Sequence, residues 1–118
     1  MFEAANIRDW IGLPVVDERD DKVGTLESIY YDTATSDPAF GSVTTGMVGF
    51  QKLVFVPLVG ATVAPKHLRV PFPKKLIKDA PSIATDGELE ADTEPVLYQH
   101  FGLEYTTGSG GERRLGRR

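Results

Sequence analysis

From Lys52 to Pro65 the chain reads KLVFVPLVGATVAP, and this run limits the fold more than any other stretch. Pro57 and Gly60 interrupt any single long helix, while the Val, Phe and Thr content favours strands. Neighbouring positions are equally apolar: Leu53, Phe55 and Val59 match Val54, Val56 and Leu58. Successive side chains on a strand point to opposite faces, so strands of this kind need cover on both. The run predicts two strands, broken near Val59 and Gly60. One face lines an interior, and the other lies under a helix or a second subunit.

The remaining sequence supplies partners for these strands. Further strands are expected at Leu13 to Asp17, in VGTLESIYYD, in FGSVTTG and in HLRVPF, each bounded by turn residues. In VGTLESIYYD, Val23, Ile29 and Tyr31 share one parity while Leu26 and Tyr30 share the other, the mark of a bulged strand. Pro71 and Pro73 end the sheet, KKLIKDAP makes one helical turn, and TEPVLYQHFGL predicts a short helix from Thr93 to Phe101. The expectation is a mainly β fold: a small, closed or partly closed antiparallel β-barrel of about six strands with a short C-terminal helix, because closure removes exposed edges. A chain of 118 residues has room for one such domain. It divides into a barrel with its lead-in at 1–81, a connection and helix packing on the barrel or on a partner at 82–103, and a flexible arginine-rich tail at 104–118.

Charge is unevenly placed. Up to Thr107 nine Lys and Arg face sixteen Asp and Glu, a net of −7, whereas GSGGERRLGRR carries four arginines and one glutamate, a net of +3. An acidic body repels a phosphate backbone, so no specific nucleic-acid binding is expected of it. There is no cysteine, hence no disulfide or thiolate chemistry. No apolar run is long enough to cross a bilayer, MFEAANIRDW lacks the features of a signal peptide, and the expected location is cytoplasmic.

LPVVDERDDKVGTLESIYYD, followed by FVPL and then HLRVPFPKKLIKDAP, resembles the PRC-barrel family over Ile7 to Pro81. The most specific fragments are GLPVVD at Gly12 to Asp17, VGTLESIYYD at Val23 to Asp32 and FVPL at Phe55 to Leu58, with LYQHFGL at Leu97 to Leu103 similar to small stand-alone bacterial members. The resemblance implies a β-barrel used as an assembly or adaptor module. The family includes the cytoplasmic domain of the photosynthetic reaction-centre H subunit and the C-terminal domain of a ribosome-maturation factor. This chain shows neither a membrane-spanning N-terminal segment nor a preceding maturation-factor domain, so the fold is expected to transfer and those two tasks are not.

Few residues suggest chemistry. Asp20, Asp21 and Asp37 mark wet turns; Glu27 lies within a strand and Asp32 at its end, and only these two have neighbours able to make a carboxylate unusual. DERDD lacks the glycine and terminal glutamate of an EF-hand loop. His67 and His100 stand in no HExxH pattern, the serines form no GxSxG elbow, and no glycine-rich phosphate or dinucleotide motif is present. The expectation is therefore no catalytic residue, no metal site, no cofactor and no enzyme.

Apolar residues where a turn needs none point instead to protein contact. Met47, Val48 and Phe50 occupy the connection after FGSVTTG, and Trp10 precedes the first strand; these four are the candidate interface positions, the other readings being packing of the first three against the TEPVLYQHFGL helix and of Trp10 at the end of the barrel. The partner is another protein or a second copy, as in a homodimer. Two alternatives stay open at this stage: a small-molecule or divalent-cation site on the acidic barrel, and polyanion contact through the basic tail.

Overall fold

The computed structural model describes residues 9–46, 51–85, 87–105 and 114–117. In chain order the strands are β1 (Pro14–Val16), β2 (Lys22–Asp32), β3 (Pro38–Thr45), β4 (Lys52–Pro57), β5 (Thr62–Ala64) and β6 (His67–Arg69). Helix α1 (Lys74–Asp79), β7 (Ser82–Ala84), helix α2 (Glu94–His100) and β8 (Leu115–Arg117) follow. All eight strands join one sheet in the order β5-β6-β1-β2-β3-β4-β7, with β8 added to β2. Every pairing is antiparallel except β1 with β6, which is parallel. The barrel is not fully closed, since β5 and β7 stand at opposite ends of the order.

This architecture has two more strands than expected, and both lie where the sequence suggested none. β7 pairs with Lys52 to Val54 of β4, so the sheet extends past residue 81 into the segment read as a connection. β8 pairs with Tyr30 to Asp32, so part of the segment read as a flexible tail is a strand, and its Leu115 is only 1% exposed. The expected break near Val59 and Gly60 separates β4 from β5.

β2 accounts for most of the connectivity. β1 and β8 divide one of its edges, pairing with Lys22 to Thr25 and with Tyr30 to Asp32, while β3 occupies the other. Its register against β3 slips between Leu26 and Ser28 and again between Tyr30 and Tyr31. The first slip leaves Glu27 as an extra residue, which is why Leu26 and Ile29, of opposite parity, share a face.

Residues directly opposed across strands share a face. The registers place Leu26, Ile29, Val43, Val54 and Val56 on one face, and Tyr30, Phe40 and Phe55 on the other. All eight are buried, which resolves the two-faced pattern of β4. Aliphatic side chains fill the inside of the curl. The aromatic face lies under α2, where Tyr98 packs on Phe40 with ring centroids 5.1 Å apart and Phe101 approaches Phe72 at 5.2 Å. The helix thus covers its own barrel. Helix α1 lies against β4 with Ile77 fully buried, and His100 of α2 donates its Nε2–H to the Leu76 carbonyl at 2.6 Å, tying the helices together.

Asp17 closes the other end of the sheet. Its side chain accepts the backbone N–H of Arg19 at 2.8 Å and of Asp21 at 2.9 Å through Oδ1, and that of Lys74 at 3.1 Å through Oδ2. One carboxylate therefore sets the β1–β2 turn and receives the first residue of α1. Burial works to raise its pKa, but the three N–H donors outweigh it and hold the carboxyl below the ordinary 3.8.

Two expectations follow from these contacts. A group whose pKa is depressed on folding contributes stability above its unfolded value, and loses it as pH falls through the folded value. Resistance to urea should therefore fall below about pH 4, and Asp17→Asn should flatten that acid slope while costing about 2 kcal/mol at neutral pH. At Gly24 an added Cβ would lie 2.1 Å from the Thr44 carbonyl oxygen and 2.8 Å from Val43 Cγ1. Gly24→Ala should force β2 and β3 apart and destabilise the chain by about 3 kcal/mol in the same measurement.

Candidate functional site

The richest polar arrangement forms where β2 ends. Asp32 lies at the last position of that strand, and its Oδ1 accepts the N–H of Ala34 at 2.8 Å and of Thr35 at 3.3 Å. This Asx turn starts the reversal into β3, which passes through Ser36 at a left-handed φ of 66° and closes with Asp32 N–H on the Asp37 carbonyl. The second oxygen of Asp32 accepts from Arg114 Nε at 2.6 Å, both side chains being largely buried.

Glu94 completes the arrangement from the first turn of α2. It is fully buried, and its Oε1 accepts the backbone N–H of Arg114 at 2.9 Å and of Leu115 at 3.1 Å, with Tyr105 Oη donating at 3.4 Å. A buried carboxylate needs such donors, and here the chain's own C-terminal strand provides them. The Arg114 carbonyl in turn accepts Thr33 N–H at 2.8 Å. Two acids far apart in sequence thus hold one short strand.

Beside this seam opens a cleft of about 680 Å³ lined by Asp32, Phe40, Val59, Tyr98, Leu103 and Arg114, among others. Burial pushes the Tyr98 hydroxyl up to about 12; Arg114 pulls the other way, and Asp32 and Glu94 add to the rise. At neutral pH Tyr98 is therefore a phenol that can donate a hydrogen bond, not a base. Both Asp32 oxygens are occupied. The cleft offers an apolar wall with polar fixtures, an arrangement suited to holding a segment of chain rather than to transferring protons.

A polar groove of about 660 Å³ lies near the other end of β2, lined by Lys22, Glu27, Thr44, Gln51 and Lys78 among others. Glu27 is exposed there and accepts from Thr44 Oγ1 at 3.2 Å. His67 lines neither cleft, so the structure does not gather it with Asp32 or Glu27. Among the described residues, no group of three or more His, Asp or Glu is placed to hold a metal ion. Asp20, Asp21 and Asp37 are exposed, and Asp20 pairs with Arg69 across the surface.

The model of the PRC-barrel domain family matches residues 2–77. The chain belongs to the PRC-barrel family. PRC-barrel domains generally mediate protein–protein contacts. The match runs from the lead-in to α1, so Asp17 and Asp32 lie within it, while β7, α2, Glu94 and β8 lie beyond. No curated protein matches the chain. Among the described residues, no helix is long and apolar enough to cross a membrane.

The four interface positions fare differently. Met47, Val48 and Phe50 lie outside the described residues. Trp10 is 4% exposed and belongs to the core cluster, which leaves its ring little surface to offer a partner. Of the acids, sequence reasoning singled out Asp32 and passed over Asp17 and Glu94. Asp17 ends GLPVVD just before a turn, a position from which a short carboxylate reaches following N–H groups. Glu94 reads as an acid favourable in any first helical turn, and no local signal marks it as buried. The one available hint was Leu115, the only large apolar residue in an otherwise polar segment.

Removing the Glu94 carboxylate should unseat β8. Glu94→Ala leaves two backbone N–H groups facing a site without an acceptor, and the expected cost is about 3 kcal/mol. Hydrogen exchange should show loss of protection at Arg114 and Leu115 first, with the β3–β4 amides retaining theirs.

Proposed function

We propose that this PRC-barrel chain is a non-enzymatic adaptor or self-associating scaffold, acting through contacts with another protein or with a second copy of itself. Its carrying observation is apolar surface at the end of the barrel: Val59 is 59% exposed and Val63 45% exposed. Val59 lies in the β4–β5 turn, where it lines the cleft, Val63 lies on β5, and β5 pairs with β6 alone among the described strands. Exposed apolar side chains at an edge strand suit a partner that adds backbone and side-chain contact together. The buried carboxylates Asp17, Asp32 and Glu94, by contrast, are engaged with backbone N–H groups, which supports a binding role over catalysis. In this reading the protein works in the cytoplasm, and Met47, Val48 and Phe50, outside the described residues, belong to the contact surface as well.

The polyanion alternative is weakened by Arg114, which pairs with Asp32 instead of pointing its charge outward.

Crosslinking in the native cell followed by affinity capture should recover a reproducible partner or a homo-oligomer. Val59→Asp combined with Val63→Asp should reduce that capture about tenfold or more, as expected when interface anchors are lost, with circular dichroism and the melting temperature nearly unchanged. A strictly monomeric protein, whose captured proteins are indifferent to these substitutions and to alanine at Met47, Val48 and Phe50, would overturn the proposal.

A further inference from the structure

The C-terminal strand is held in a manner that reads its sequence. Asp32 takes the guanidinium of Arg114, and Glu94 takes the two successive backbone N–H groups at the bend by which Arg114 leads into β8. Leu115 is enclosed at 1% exposure. At Gly116 a Cβ would meet Thr33 Cγ2 at 3.3 Å, so a larger residue there requires Thr33 to shift by a few tenths of an ångström. Main-chain pairing with Tyr30 to Asp32 completes the fit. Together these contacts specify an Arg–Leu–Gly segment that bends at the arginine and runs extended from the leucine along part of a β2 edge, which is strand addition with side-chain selection.

None of these contacts depends on the strand and the site belonging to the same molecule. β8 is three residues long, pairs with β2 alone among the described strands and stands off the main strand order, and such elements open locally at lower free energy than the rest of a fold. The sequence between Tyr105 and Arg114 includes GSGG, and exchange of an identical element between copies replaces each contact with its equal. Charge favours this segment in the seat whichever copy supplies it, because Gly108 to Arg118 is basic and the body acidic.

We propose that the β2 edge between Asp32 and Glu94 is a strand-addition site for an Arg–Leu–Gly segment, and that a second copy of this chain supplies it by exchanging C-terminal strands. The proposal rests on the reading that the protein acts through protein contacts, and it names self-association as the form.

Complementation between two full-length variants tests it. Glu94→Ala retains the segment but not the site; Leu115→Asp retains the site but not the segment. Each alone should be monomeric by light scattering, and mixing them should give a one-to-one dimer. In that dimer the Leu115 amide of an isotopically labelled Glu94→Ala chain should regain hydrogen-exchange protection by about tenfold or more. Should either variant fail to fold, labelled wild-type protein is titrated with the synthetic peptide GERRLGRR. The peptide should displace the resident strand and expose the Arg114 and Leu115 amides, whereas GERRDGRR should not. Displacement by peptide without mixed dimers overturns the second copy as occupant. Absence of both mixed dimers and displacement overturns the site itself. Partner capture that depends on Val59 and Val63 yet ignores Leu115→Asp would leave the adaptor reading standing and remove only this exchange.

Discussion

One strand carries obligations that no other element shares. β2 must pair with β3 along most of one edge, while β1 and β8 divide the other. A straight, regular strand of that length would present one parity inward throughout, and Leu26 and Ile29 could not both reach the interior. The slip at Glu27 allows both, and it bends the strand enough for the sheet to curl. Gly24 permits the close approach of β3 that this curl demands. The core, the aromatic layer under α2 and the seat of β8 all depend on this one irregular strand.

The buried carboxylates stand at the ends of elements, not in their middles. Asp17 joins the β1–β2 turn to α1, Asp32 joins the β2–β3 turn to Arg114, and Glu94 joins α2 to β8. In each case a carboxylate accepts backbone N–H groups that would otherwise face a nearly dry environment, which is costly for a donor left unpaired. These acids behave as joints between segments distant in sequence. The negative charge of the body is therefore partly structural, and counting carboxylates overstates how many are available to a ligand.

Much of the fold was legible because its signals are local. Alternation in β2 changes parity where the bulge lies, Val59 and Gly60 fall at the β4–β5 break, and the helical spacing of Leu97 and Phe101 marks the face that packs on Phe40. What escaped is non-local. Ser82–Ala84 is too short to show alternation, and it becomes β7 only because β4 offers an edge. The parallel β1–β6 pair has no counterpart in any turn or repeat. Residues 115–117 read as solvated chain until Asp32 and Glu94, both remote in sequence, are brought beside them. Composition indicates whether a segment can make its own core, and it is silent on whether another segment has reserved a place for it.

The parallel pairing of β1 with β6 also bears on how the barrel is assembled. Val15 meets Leu68 only after the whole β2–β3–β4 meander and the β5–β6 hairpin lie between them. Closing so long a loop is entropically unfavourable until the intervening chain has ordered, whereas the meander contacts are short-range. The order of assembly is thereby constrained: the antiparallel meander can nucleate, and β1, although synthesised first, waits with its outer edge unpaired until β6 arrives. Until Leu68 docks, the part of the core that it covers stays open to water.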